Sequence, residues 1–109
     1  MEVRAIGRYN GLPASKMRLL VNMVRGKKVE EALSMLRFMP SPKAKVVTKL
    51  VRSAVANAEN NFQVDPAELK IVKIFADDAP SLRRYRARSR GRASHIKKRS
   101  SHITVIVAD

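Results

Sequence analysis

Two early stretches of the chain carry apolar residues at the spacing of amphipathic helices. The first follows Ser15 and is expected to end at Gly26, because glycine is common just past helix C-termini. The second runs from about Val29 to Met39, and Pro40 ends it. In both, apolar residues recur at intervals of three or four, which predicts one buried face on each helix. The residues expected on these faces are Met17, Leu20, Val21, Val24, Ala32, Leu33, Leu36 and Met39.

The third helix has the clearest start signal in the chain. Ser41 suits the N-cap, and Pro42 suits the first helical position, where no N–H is needed. Asn60 and Asn61 favour a left-handed stop, so the helix is expected to end there. Its buried stripe is predicted to comprise Val47, Leu50, Val51, Ala54, Val55 and Ala58.

Three other segments have the pattern or composition of β-strands. EVRAIGRY (2–9) alternates apolar and charged residues, whereas KIVKIFAD (70–77) and HITVIVAD (102–109) are rich in β-branched residues. Between the third helix and the second strand, DPAEL predicts a short turn capped by Asp65. Together these elements predict an α+β fold, with three helices packed on a small antiparallel sheet and one long basic β-hairpin extension.

Charge is the feature that departs from an ordinary globular protein. The 109 residues include 23 Lys and Arg against 9 Asp and Glu, a formal net charge of +14. Residues 79–102 contain nine of the basic residues and no acidic one. An excess so concentrated indicates a polyanionic partner, most commonly nucleic acid. The chain has no cysteine, no apolar run near the length of a membrane helix and no signal peptide, so a cytoplasmic location is expected.

The basic segment lies between two predicted strands, which indicates the distal part of a long hairpin. Arginine recurs at every second position from Arg84 to Arg92, a spacing that aligns side chains on one face of a strand. Gly91 places the turn near Ser89–Arg92. We therefore predict one domain, residues 1–109, with a core of residues 1–78 and 103–109 and a finger of residues 79–102. The finger should reach about 40 Å beyond the core and be ordered by its partner, because a like-charged two-stranded ribbon is marginal in water.

The predicted contacts with nucleic acid are basic residues of the hairpin and of the region around the first helix. Arginine's planar fork suits phosphate and bases, and the residues between the arginines are mostly small. No set of catalytic residues, no metal site and no cofactor motif is found, and the methionines are expected to be core residues. The predicted contacts are Lys16, Arg18, Arg25, Lys27, Lys28, Arg83, Arg84, Arg86, Arg88, Arg90, Arg92, Lys97, Lys98 and Arg99.

These residues also carry a resemblance to a known family. The pattern is Arg83, then Arg88-Ser89 and Gly91-Arg92, and, after nine intervening residues, His102-Ile103, Val105 and Val107. RGKKVEEAL (25–33), SAVANAENN (53–61) and LKIVKIFAD (69–77) add to it. The chain resembles the bacterial large-subunit ribosomal protein twenty-two family over nearly its whole length.

The resemblance implies a role that the spacing of residues does not show. A non-enzymatic protein of this family would bind large-subunit ribosomal RNA, contact neighbouring ribosomal proteins and aid subunit assembly in the cytoplasm. Its hairpin would thread inward through the RNA and line the tunnel that the nascent polypeptide leaves by. The family pattern also places ASKMRLLV (14–21) against RNA, with Lys16 and Arg18 as contacts. The tip that lines the tunnel would be Arg88, Ser89, Arg90, Gly91, Arg92 and Ala93.

Two other classes of function compete with this interpretation. A winged-helix DNA-binding protein also has three helices followed by a hairpin, but a wing is far shorter than this finger. A membrane-active cationic hairpin needs an apolar face, whereas Ala, Ser and Gly lie opposite the arginines. Gel shifts with duplex DNA against ribosomal RNA would test the first rival, and vesicle leakage would test the second. An enzyme is the least favoured class.

Overall fold

Three helices cover one face of a three-stranded antiparallel sheet. The computed structural model describes residues 2–87 and 93–109, with side chains described for residues 2–8, 10–80 and 100–109. The elements are β1 (Glu2–Asn10), α1 (Ala14–Val24), α2 (Val29–Arg37), α3 (Pro42–Phe62), a 3₁₀ turn (Pro66–Glu68), β2 (Lys70–Ala87) and β3 (Ala93–Ala108). The strand order is β1–β3–β2. This arrangement confirms the predicted α+β class.

Strand β3 is the centre of the sheet and pairs on both sides. Val107 lies opposite Val3 of β1 and Ile71 of β2, and Val105 lies opposite Ala5 and Ile74. All of these side chains are buried. Because alternate residues of a strand share a face, this register directs one face of the sheet into the core.

The hydrophobic core lies between that face and the helices. Helix α1 packs mainly against β2, α3 packs against β1, and α2 packs on α3. The predicted face of α1 is fully confirmed, since Met17, Leu20, Val21 and Val24 are all buried. On α2 and α3 the predicted stripes are buried along their centres, and the residues at their margins are only partly buried: Leu33, Met39, Leu50 and Val55. Met23 corrects the expectation that the methionines are core residues, because it is 45% exposed.

The predicted helix caps are right at some ends and wrong at others. Ser41 caps α3 by accepting a hydrogen bond from the Lys43 N–H at 3.3 Å, as expected. Asp65 likewise accepts from the Ala67 N–H at 3.0 Å. Helix α1 begins one residue before Ser15 and has no side-chain cap, because Pro13 occupies its N-cap position.

The C-terminal ends of α2 and α3 also differ from the predictions. Helix α2 ends at Arg37, two residues before Met39. Helix α3 continues through Asn60 and Asn61, and the left-handed residue is Gln63, with φ 54°. Its N–H donates to the carbonyls of Ala58 and Glu59, which lie at the end of the helix. These hydrogen bonds offset the unfavourable left-handed conformation of a residue with a Cβ.

The start of the outer edge of β2 is covered by the connection between α1 and α2. The Gly26 N–H donates to the Ile71 carbonyl, and the Ile71 N–H donates to the Lys27 carbonyl, both at 2.9 Å. Gly26 has φ 78°, a left-handed conformation that glycine adopts without strain, and it follows α1 as predicted. Pairing the edge in this way removes the exposed donors and acceptors that would otherwise recruit another strand.

Strands β2 and β3 continue far beyond the core as a two-stranded ribbon. Along β2 the last buried residue described is Ala79, and along β3 the first is Ser101. Directly beyond them, Pro80 and Ser81 face a single residue, Arg99, in a bulge. A bulge accommodates proline, which has no N–H for the ladder. Pairing resumes at Leu82–Lys98 and runs to Ala87–Ala93.

The ribbon gives the molecule an elongated shape. The principal extents are 62 × 27 × 17 Å, and the radius of gyration is 17.0 Å. A compact chain of this length would have a radius of about 13 Å. The hairpin predicted from two strands flanking a basic run is therefore confirmed.

Candidate nucleic-acid interface

The ribbon collects positive charge on two paired strands. Arg83, Arg84 and Arg86 lie on β2, and Lys97, Lys98 and Arg99 lie on β3. The register places Arg83 directly opposite Lys97. Like charges in directly opposed positions destabilise strand pairing, since their Cβ atoms are only about 5 Å apart. A polyanion bound along the ribbon would attract both side chains and so offset their mutual repulsion.

The tip of the hairpin is described only at its margin. Ala93 begins β3 and pairs with Ala87. The other residues predicted to line a tunnel, Arg88, Ser89, Arg90, Gly91 and Arg92, lie outside the described residues. Their assignment stays a prediction, as does the RNA contact predicted for each basic side chain of the ribbon.

Helix α1 and its exit carry the second group of predicted contacts. Lys16 and Lys28 are exposed to solvent. The Lys27 ammonium lies 3.7 Å from the Glu31 carboxylate, an exposed pair that contributes little to stability. The side chains of Lys16 and Lys28 are therefore open to a phosphate. Lys27 can leave its surface ion pair with Glu31 and bind a phosphate instead.

Arg18 and Arg25 bind the edge of the sheet, a role that the sequence did not suggest. Nε of Arg18 donates to the Ala76 carbonyl at 3.2 Å. Arg25 donates two hydrogen bonds to the Ile74 carbonyl, from Nη2 at 2.7 Å and from Nε at 3.3 Å. Its Nη1 donates to Oδ1 of Asn22 at 2.8 Å. Both arginines thus satisfy carbonyls of β2 that have no strand beyond them. Only the packing of α1 along β2 reveals this role, because the partners are 49 and 58 residues away in sequence.

Arg25 and Lys28 should therefore respond differently to substitution. Arg25→Ala leaves the Ile74 carbonyl without its donor, and we expect the free energy of unfolding to fall by about 1–2 kcal/mol. Lys28→Ala removes an exposed cation, so stability should change by less than about 0.5 kcal/mol while RNA affinity falls. Urea unfolding of both variants measures the difference. Equal stability losses would contradict the structural role of Arg25.

A further set of cations comes together on α2 and α3. Lys45, Lys49 and Arg52 recur at i, i+4 and i+7, a spacing that places them on one face of α3. They line one groove with Arg37 of α2. The spacing is the signal visible in the sequence, whereas the contribution of Arg37 depends on how the two helices pack.

The described part of the chain holds no group of three or more His, Cys, Asp or Glu side chains arranged to bind a metal ion. None of its helices combines the length and the apolar character needed to cross a membrane.

Comparison with known proteins gives a consistent match over the whole chain. The model of the family described as ribosomal protein L22p/L17e matches residues 5–108. A protein named large ribosomal subunit protein uL22 from Dehalococcoides mccartyi strain 195 is 64% identical over 109 residues, covering all of both chains. Proteins of the same name from Desulforamulus reducens and Pelotomaculum thermopropionicum are 50% and 49% identical, over all of this chain and 96% of theirs.

Proposed function

The chain belongs to the ribosomal protein L22p/L17e family and is a structural, non-enzymatic protein of the large ribosomal subunit, and we propose that it binds ribosomal RNA through its basic hairpin. In bacteria this places it in the cytoplasmic ribosome, as expected from the sequence. We further propose that residues 79–102 are the RNA-binding finger and that the rest of the chain is the domain that carries it.

The observation that carries the proposal is the charge of a ribbon that lies outside the core. Residues 79–102 hold nine cations and no anion. Six of these cations lie on β2 and β3, where the strands pair beyond the last buried positions described for each. Few contacts described within the fold offset the mutual repulsion of these cations, whereas phosphates spaced along RNA would offset it by attracting them.

The elongated shape supports a finer proposal about the hairpin. A ribbon is only two strands wide, so it can pass between RNA helices that would exclude a globular domain. We propose that the tip, residues 88–93, lines the tunnel through which the nascent polypeptide leaves. Contacts made at both ends of a molecule 62 Å long would also connect separate RNA segments during assembly of the subunit.

Sedimentation of cell extract tests the proposal at the level of the particle. We expect the protein to migrate with the large subunit and to remain there at moderate salt, because many phosphate contacts must break together. Gel shifts of the purified chain should favour large-subunit ribosomal RNA over duplex DNA. A protein found free at the top of the gradient, or one that prefers duplex DNA, would refute the proposal.

A further inference from the structure

A groove on the described surface lies apart from the proposed RNA-binding hairpin. It lies between α2 and α3 and encloses about 620 Å³. Its apolar lining comes from Leu33, Leu36, Met39 and Ala44. Leu33 and Met39 are only partly buried, so aliphatic surface is open to solvent. A groove of this volume accommodates several side chains of a bound segment.

The rim of the groove is strongly cationic. Lys45, Lys49 and Arg52 of α3 and Arg37 of α2 line it, against one acidic residue, Glu30. None of these four cations makes a hydrogen bond or ion pair with another residue whose side chain is described. The fold thus leaves a net positive rim around apolar surface, which is complementary to a ligand with both carboxylates and aliphatic groups.

An exposed aromatic residue follows α2 in the chain. Phe38 stands in the chain between Arg37 and Met39, which both line the groove, and is 81% exposed. Large exposed aromatic residues are common anchors of protein–protein interfaces.

We propose that this groove binds an acidic amphipathic helix of another protein. Its apolar residues would lie on Leu33 and Met39, and its carboxylates would pair with the lysines of α3. The aliphatic side chains of Leu33 and Met39 suit the leucines of an amphipathic helix, and the four cations suit its acidic flanks. Two helices flanking apolar surface also form the kind of groove that receives a third helix. This surface is separate from the hairpin, so the proposal does not depend on RNA binding there.

Fluorescence anisotropy with a defined peptide tests the proposal on the full chain. The probe is a labelled helical peptide with leucines at i, i+3, i+4 and i+7 and glutamates on both flanks. Replacing the leucines by alanines should weaken binding at least tenfold, because the apolar contacts are lost. The double variant Lys45→Glu/Lys49→Glu should weaken binding of the original peptide by about tenfold or more, since two ion pairs become repulsions.

A matched variant separates the groove from the general attraction of an acidic peptide to a basic protein. Arg4→Glu/Lys73→Glu makes the same change in net charge at exposed positions on the sheet face away from the helices, where both residues lie opposite Ile106. It should lower peptide affinity less than about threefold in buffered salt, where distant charges are screened. Equal losses from the two double variants would overturn the proposal. So would a peptide whose binding is indifferent to its leucines, or a uridine oligonucleotide that displaces the peptide from the groove.

Discussion

Replacing residues 83–97 by Asn-Gly is expected to remove most of the RNA affinity of the chain and most of its salt dependence. The change joins Leu82 and Lys98, which are paired, through the two residues of a type I′ turn. It deletes seven cations and no anion. The full chain should lose about 10³–10⁵-fold in affinity for protein-free large-subunit RNA between about 50 and 200 mM salt. The shortened chain should lose less than about 10²-fold over the same range, because each lost phosphate contact lowers the slope by roughly 0.7–0.9.

The same replacement should leave the domain folded. The core residues described belong to β1, the three helices, Leu69–Ala76 and Ile103–Val107, which the replacement leaves intact. The melting temperature of the shortened chain should therefore stay within a few degrees of that of the full chain. The triple variant Arg88→Ala, Arg90→Ala and Arg92→Ala should weaken RNA binding with equally little effect on melting. A large drop in melting temperature in either case would mean that the finger contributes to the fold and is not simply a binding element.

Ile103→Ala is expected to be the most destabilising of the substitutions considered. Ile103 is completely buried on the central strand, where it lies opposite Gly7 of β1 and Ala76 of β2. Neither partner has a side chain that could move into the space. Truncation should therefore cost about 2–5 kcal/mol, because both burial and packing are lost. Thermal unfolding should show a fall of about 10–20 °C in the melting temperature.

Ile106→Ala is the matched control on the same strand. Ile106 lies opposite Arg4 and Lys73, on the face of the sheet away from the core, and is partly exposed. Removing the same atoms from Ile106 should lower the free energy of unfolding by less than about 1 kcal/mol, because the side chain is partly exposed and buries little apolar surface. Equal melting temperatures for the two alanine variants would contradict the assignment of the two sheet faces.

Elements whose determinants are local could be predicted from the sequence. The buried face of α1 follows from the spacing of Met17, Leu20, Val21 and Val24, and the start of α3 follows from Ser41 and Pro42. The pairing of β2 with β3 was accessible because two β-rich segments flank one basic run. In the two helices, residues near in sequence decide the structure, whereas the strand pairing follows from the position of the two strands on either side of one run.

Features that depend on tertiary packing were not accessible in the same way. Helix α3 passes Asn60 and Asn61 and stops at Gln63, although asparagine tolerates the left-handed conformation better. The hydrogen bonds of Arg18 and Arg25 to β2 arise only when α1 lies along that strand. Likewise, the cations of the groove come together only when α2 packs on α3.

Hydrogen exchange of the free and RNA-bound protein tests the central claim most directly, namely that RNA rather than the core stabilises the finger. In the free chain at high salt, amides of residues 82–98 should exchange far faster than those of residues 103–107, which pair inside the core sheet. On binding large-subunit ribosomal RNA, the finger should become protected to a level approaching that of the core. Equal protection of the two segments in the free protein, unchanged by RNA, would contradict the account.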